Sequence, residues 1–161
     1  AMCHLGDDVS TSRQLLQDAT RSNPNDPMAW LYNSVWSTMW GTPAESIHEA
    51  ENALKLSPLD PQRYYFEVIL STCLTAAGEW ARAAELARSS LRKNGYHTPT
   101  VRTLMVAEYE SGDMEAARAT FKRLMAMQPD LTVQQYLSAG GQSPLRQRVA
   151  RAMTALGMRA S

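Results

Sequence analysis

The stretch Gly78-Glu79-Trp80-Ala81-Arg82-Ala83-Ala84-Glu85-Leu86-Ala87-Arg88-Ser89-Ser90-Leu91, GEWARAAELARSSL, decides how this chain folds. Its apolar residues recur at three and four with charges between them, the spacing of an amphipathic helix. Where a globular core usually carries Leu or Ile, this helix offers Ala83 and Ala87. Small side chains on the buried stripe let a neighbouring helix approach to about 8–10 Å. Trp80 and Leu86 are placed to supply the larger contacts around that crossing. The helix therefore reads as the tightly packed, one-side-wet member of a helix pair.

Working outward, proline and glycine recur at fixed distances. Pro24 to Pro58, Gly78 to Gly112 and Gly95 to Pro129 are each steps of 34 residues, whereas Gly41 to Gly78 is 37. The longer step reads as a three-residue insertion near SPLDPQR, Ser57 to Arg63. PMAWLYNSVWSTMW and QRYYFEVILSTCLTAA are apolar on more than one face, as helices sandwiched between neighbours must be. PAESIHEAENALKL, EWARAAELARSSLRK and MEAARATFKRLMAM are amphipathic second helices. Short turns join each pair: Gly41-Thr42-Pro43, Ala77-Gly78-Glu79 and Ser111-Gly112-Asp113. Glycine there is expected to close a helix in the left-handed conformation, and Pro43 suits a first helical turn. In the joints SNPNDP and SPLDP, Asp is expected to cap the following helix.

A period of about 34 residues with this punctuation resembles the tetratricopeptide repeat (TPR) family. The third repeat is most similar, with Ala117, Phe121 and Pro129 in register. Trp30, Ala50 and Pro58 match in the first, and Ala83, Ala87 and Gly95 hold the corresponding places in the second. Ser12, Leu16 and Pro24 fit a lone second helix. Asn33, Ser34 and Ser37 depart from the Leu, Gly and Tyr typical of the family. The resemblance implies an all-α, right-handed superhelix of antiparallel helix pairs with a C-terminal capping helix. The division read from the sequence is a disordered or tag-derived 1–10 and repeats over 11–130. These comprise a half repeat at 11–24 and repeats at about 27–60, 61–97 and 98–130; a helical cap follows at 131–161.

The same resemblance places partner contacts on the inner face of the first helices. Carried onto this chain they are Met28, Leu31 and Val35, then Tyr65, Val68 and Thr72, then Arg102, Val106 and Tyr109. The Lys/Asn ladder with which some family members clamp a C-terminal carboxylate is missing, and Arg102 is left as an anion contact. A mostly apolar groove suits an amphipathic helix or an extended apolar peptide. The C-terminal part, from SPLDPQRYYF to the closing ALGM, also resembles the helical region that follows the effector domain in bacterial class III adenylate cyclases and winged-helix transcriptional regulators. That likeness implies the interaction or sensory part of a signalling or transcriptional regulator.

Other chemistry finds little footing. His4, His48 and His97 are scattered without a second ligand at helical spacing, so neither a metal nor another cofactor is expected. His48 is expected on a wet helix face. Gly140-Gly141 lies in no phosphate-loop pattern and reads as a joint between a short helix near Thr132 to Ser138 and a last helix capped by Ser143 and opened by Pro144. On that last helix Leu145, Val149, Met153 and Leu156 form a stripe, and Arg146, Arg148 and Arg151 are expected on a solvated face rather than as a nucleic-acid patch. Glu108, Glu110 and Asp113 have no partner His, and no serine sits in a nucleophile elbow, so the chain is read as not an enzyme. Met28, Met39, Met105, Met125 and Met127 read as core filler, with an adaptable peptide surface as the sharper alternative.

Composition sets the outer bounds. The 161 residues carry sixteen basic and sixteen acidic side chains, so no net field draws the chain to nucleic acid or anionic lipid. No apolar run is long enough to span a bilayer, and AMCHLGDDVS lacks the plan of a signal peptide. Cys3 and Cys73 form no CxxC, and a reducing, cytoplasmic setting is the expectation. The function expected is protein–protein interaction or oligomerisation, with a protein or peptide partner and no cofactor. The alternative is a homodimerisation domain, built on the uncovered side of the half repeat, or an enzyme with a noncontiguous site.

Overall fold

The computed structural model describes residues 9–140 and 143–161, and within these every regular element is a helix. A leading helix, α1 (Val9–Ser22), is followed by three antiparallel pairs: α2 (Pro27–Trp40) with α3 (Pro43–Leu56), α4 (Arg63–Ala77) with α5 (Trp80–Lys93), and α6 (Thr98–Glu110) with α7 (Met114–Met127). The short α8 (Val133–Ser138) and α9 (Pro144–Ala155) end the chain. Each helix packs on the next through α7, and in addition α2 touches α4 and α4 touches α6. The second helices make no comparable contact with one another, so the stack curves with the first helices inside. This is a helical-repeat superhelix of the expected kind. The reading of 1–10 as an unstructured start lies outside the described residues as far as residue 8, while Val9 and Ser10 already belong to α1.

The alanines are the reason the pairs sit so close. Ala50, Ala53, Ala83, Ala87 and Ala117 are fully buried at the helix crossings. Around Ala83 and Ala87, Leu70, Cys73, Leu74 and Leu104 fill the space that the small residues leave. A second cluster joins Leu31, Ala53 and Phe66 from α2, α3 and α4. The third gathers Val101, Met105 and Val106 of α6, Leu124 of α7 and Val149, Ala152 and Met153 of α9. Met105 is core filler, Met28, Met125 and Met127 pack half-buried against these clusters, and Met39 alone of the five is exposed.

Turn chemistry agrees with the sequence at most joints and departs at two. Gly78 and Gly112 adopt φ of 85° and 84°, the left-handed closure that glycine permits without strain. Gly41 instead has an extended backbone at φ −100°. Its missing side chain matters for space, because a Cβ there would lie 2.9 Å from the Ser37 backbone. Asp26 caps α2 by accepting from the Met28 amide at 2.9 Å. Asp60 does not cap α4: the helix begins after Gln62, and Asp60 accepts from the Gln62 amide in a turn of its own. The cause is the insertion, which makes the α3–α4 linker six residues, 57–62, against four at 94–97.

The departures from the repeat pattern in α2 have a physical explanation. Asn33 and Ser37 are buried and, with Glu49 of α3, surround the Arg13 side chain of α1 at 3.1 Å from each. Ser37 also donates to Glu49 at 2.6 Å, and the Asn33 amide donates to the Leu16 carbonyl at 2.8 Å. A buried charge is tolerated only when its partners are complete, and here two neutral dipoles and one carboxylate complete it. A Leu in place of Asn33 would remove one of these partners, whereas Ser34 donates within its own helix to the Leu31 carbonyl at 2.7 Å. The half repeat is thus keyed to the first pair by polar chemistry.

At the other end, α9 packs against α6 and α8 and reaches α4. It lies on the inner side of the curve. Gly157, at φ 101°, turns the chain after α9 and Met158 is buried, while the Arg159 and Ala160 carbonyls accept from the Val133 and Gln134 amides. The residues that follow the closing ALGM therefore tie the C-terminus to α8.

Candidate partner-binding groove

The inner surface is built from one stripe of each first helix. On α6, Pro99, Arg102, Thr103 and Val106 face the same cavity, and Thr72 and Thr75 of α4 stand opposite. Spacing of three and four puts these on one helical face. Thr72 and Thr103 hydroxyls meet at 3.4 Å and join the two helices. The outer end of the stripe on α2 is Met39, 40% exposed. With Tyr136 of α8 and Leu145, Arg146 and Val149 of α9 as its other wall, the cavity holds about 340 Å³. A second cavity of about 200 Å³ continues toward α2, between Thr38 and Met39 on one side and Pro144, Leu145 and Arg148 on the other.

The nine residues expected to contact a partner divide into three groups. Thr72, Arg102 and Val106 line the cavity, although Val106 is also fully packed against the α6–α9 core. Leu31 and Val68 are closed off from solvent and serve as core. Met28 and Tyr65 pack half-buried against the Leu31–Phe66 cluster, Tyr109 does so against the α6–α7–α9 cluster, and Val35 is half-buried on α2. Leu31 packs against Ala53 of α3 and Phe66 of α4, so the neighbouring Tyr32, 39% exposed, takes the open place on α2.

What the sequence reading missed is the contribution of the last two helices. Arg146 and Arg148 do not lie on a solvated face; only Arg151 of the three is exposed. Arg148 donates to the Thr75 carbonyl at 2.9 Å, sits 5.0 Å from the Trp80 ring centre and pairs with Glu110 at 3.8 Å. These contacts pin α9 across α4, α5 and α6. Arg146 donates to the Tyr136 carbonyl and lies 4.3 Å from the centre of that ring, with Arg102 at 5.5 Å from the same ring. Burial pushes the Arg102 guanidinium below its ordinary value; Tyr136 opposes that shift and Arg146 adds to it. Burial also pushes the Tyr136 hydroxyl up, against the pull of the two arginines. The apolar stripe of α9 was a signal for docking, but nothing in its spacing says which surface it docks on.

The carboxylates weighed for chemistry have partners within the fold or cap a helix. Glu108 is buried, accepting from Arg88 at 2.7 Å and Thr120 at 2.6 Å. Glu67 accepts from Lys93 at 2.8 Å, and Asp113 caps α7 through the Ala116 amide. His48 is exposed beside Trp30. Among the described residues no three His, Cys, Asp or Glu side chains converge as metal ligands, and no helix is long and apolar enough to cross a membrane.

Comparison with known proteins agrees with this architecture. The sequence pattern described as "Tetratricopeptide repeat" matches residues 74–142. Among solved structures, one titled "Crystal structure of MamA" is similar over 92% of this chain and 86% of its own, with 14% identity and a TM-score of 0.69. A thermophilic TPR protein of Thermus thermophilus is similar over 92% of this chain and 75% of its own, with 16% identity and a TM-score of 0.69. At these identities the likeness is one of fold. No curated protein matches the sequence. Residues 74–142 match the tetratricopeptide repeat pattern, and the chain shares its all-helical repeat fold with these solved structures.

Proposed function

We propose that this chain is a non-enzymatic protein–protein interaction module that holds an apolar segment of a partner, helical or extended, on its inner face. The observation that carries this reading is α9 itself. An amphipathic helix presenting Leu145, Val149 and Met153 lies against the inner surfaces of α4 and α6, so that surface already accommodates a helix of this chemistry. Toward α2 the same face continues past α9 with Tyr32 and Val35, which have no such cover and are the open part of the groove. The engagement of Glu67, Glu108, Glu110 and Asp113 in ion pairs and caps supports a binding role over a catalytic one. The resemblance of the C-terminal part to regulator sequences supports placing the module in a bacterial signalling or transcriptional regulator of the cytoplasm.

A displayed library of helical peptides of about four turns, selected on the full chain, tests the reading. Selected peptides are expected to share apolar residues at i, i+3, i+4 and i+7. Val35→Glu or Tyr32→Asp should weaken them at least tenfold, about 1.4 kcal/mol. Leu59→Ser, at a position 93% exposed in the α3–α4 linker, should not. Peptides indifferent to the α2 changes would sink the groove as the site. Self-association is the second reading, favoured by Leu15 of α1, which is 63% exposed. Light scattering at high concentration separates the two: a dimer that Leu15→Asp dissociates would support it, and a monomer would remove it.

A further inference from the structure

The cavity walled by α4, α6, α8 and α9 has a charge that its surroundings do not balance. Five arginines in the described structure are half-buried: Arg13, Arg63, Arg102, Arg146 and Arg148. Three of them face carboxylates, Arg13 with Glu49 at 3.1 Å, Arg63 with Glu67 at 3.7 Å and Arg148 with Glu110 at 3.8 Å. Arg102 and Arg146 face none among the described residues. Both stand instead within 5.5 Å of the Tyr136 ring centre, and both line the cavity, whose wall contains no Asp or Glu.

Their hydrogen-bonding capacity is also unspent. A guanidinium has five N–H donors. Arg146 gives one nitrogen to the Tyr136 carbonyl, and its Nε is buried with no partner. Arg102 makes no side-chain hydrogen bond among the described residues, only its contact with the Tyr136 ring. Two of the wall hydroxyls are already committed as donors, Thr72 to the Val68 carbonyl at 2.7 Å and Thr103 to the Pro99 carbonyl at 3.1 Å. Met39, Val106 and Leu145 give the same cavity an apolar side.

We infer that this cavity is a binding site for a small organic oxyanion, a carboxylate or phosphate ester whose charged end lies between Arg102 and Arg146 and whose body rests on the apolar wall. Guanidinium groups pair with both kinds of oxyanion through two parallel N–H donors, and two cations brought together on one ring repel until an anion joins them. A volume of about 340 Å³ lies in the range of small-molecule pockets. Arg102 belongs to α6 and Arg146 to α9, so a bound anion bridges the groove wall and the helix lying on it. Occupation holds α9 in place, and any partner that displaces α9 weakens the anion by the same factor.

The test uses the full chain with inorganic phosphate and benzoate as separate probes, and sodium chloride at matched ionic strength as the reference. Calorimetry is expected to give one site per chain, with slower amide exchange in α9 on binding. Arg102→Gln and Arg146→Gln should each cut affinity at least tenfold, while Arg151→Gln on the exposed side of α9 should not. Binding of phosphate alone identifies a phosphate-type ligand, and binding of benzoate alone identifies a carboxylate on an apolar body. Binding of both supports the shared oxyanion chemistry. Should one variant fail to fold, the other carries the comparison. Absence of binding by both probes, an effect equalled by chloride, or affinity unchanged in the folded variants would overturn the site. Those results would leave the peptide groove on α2 untouched, since its residues lie outside this arginine pair.

Discussion

At the scale of single residues, the chain uses two kinds of specificity. Alanine specifies distance: Ala83 and Ala87 are fully buried where α5 crosses its neighbours. Ala87→Leu is expected to destabilise by about 1–3 kcal/mol, the usual cost of forcing methylenes into a packed core. Urea unfolding followed by circular dichroism would measure this as a lower midpoint, and an unchanged midpoint would show that the crossing has slack. Buried carboxylates specify partners. Glu49, Glu67 and Glu108 each tie one helix to a basic side chain on another, Arg13, Lys93 and Arg88 respectively. Removing one member of such a pair costs more than the pair contributes, because the other is left desolvated. A carboxylate in an apolar setting carries the same sequence signature whether it serves catalysis or structure. Only the partners distinguish the two.

At the scale of elements, helix ends are set by local rules and helix positions are not. Thr42 and Glu45 form a reciprocal cap on α3, as Thr132 and Gln135 do on α8. Gly112 closes α6 at φ 84° with open space where a side chain would be. Gly112→Ala should therefore cost only the left-handed backbone strain, about 1–2 kcal/mol. Gly41→Ala involves no such strain but meets the Ser37 backbone at 2.9 Å, so α2 must shift to admit it. Thermal unfolding of the two variants is expected to lower the midpoint in both, with the displacement visible in amide chemical shifts around Ser37 only for Gly41→Ala. Loss confined to Gly112→Ala would mean that α2 yields without cost.

At the scale of the whole molecule, the stack is nearest-neighbour in character until α9. Repeat arrays gain stability from each interface in turn. By lying across α6 and touching α4, α9 couples elements that the linear stack separates. Met153→Ala, at a fully buried position of α9, is expected to cost about 2–5 kcal/mol locally. Hydrogen exchange should then accelerate in α9, α6 and the Thr75 end of α4, with α1 and α2 unchanged. Uniform acceleration would show that the chain unfolds as a single cooperative unit. The same geometry explains why part of the inner face is already occupied, which bears directly on where a partner can sit.

The sequence by itself determined the helices and their pairing, and marked where small residues let them approach closely. Periodicity, caps and small residues are local features, and each acts within a few residues of where it is written. The resemblance to tetratricopeptide repeats marked the first helices as the inner surface, where Thr72, Arg102 and Val106 line the cavity. The tertiary structure alone decided which stripe residues are core, as Leu31 and Val68 are, and which surface α9 covers. Rotation of a helix by a single residue, about 100°, separates Leu31 from Tyr32, and that rotation is fixed by packing against other helices rather than by the segment's own pattern. The helix GEWARAAELARSSL shows both halves of this. Its alanines announced a close neighbour from the sequence, whereas the stacking of Arg148 from α9 on Trp80 joins residues 68 apart and exists only once the chain has folded.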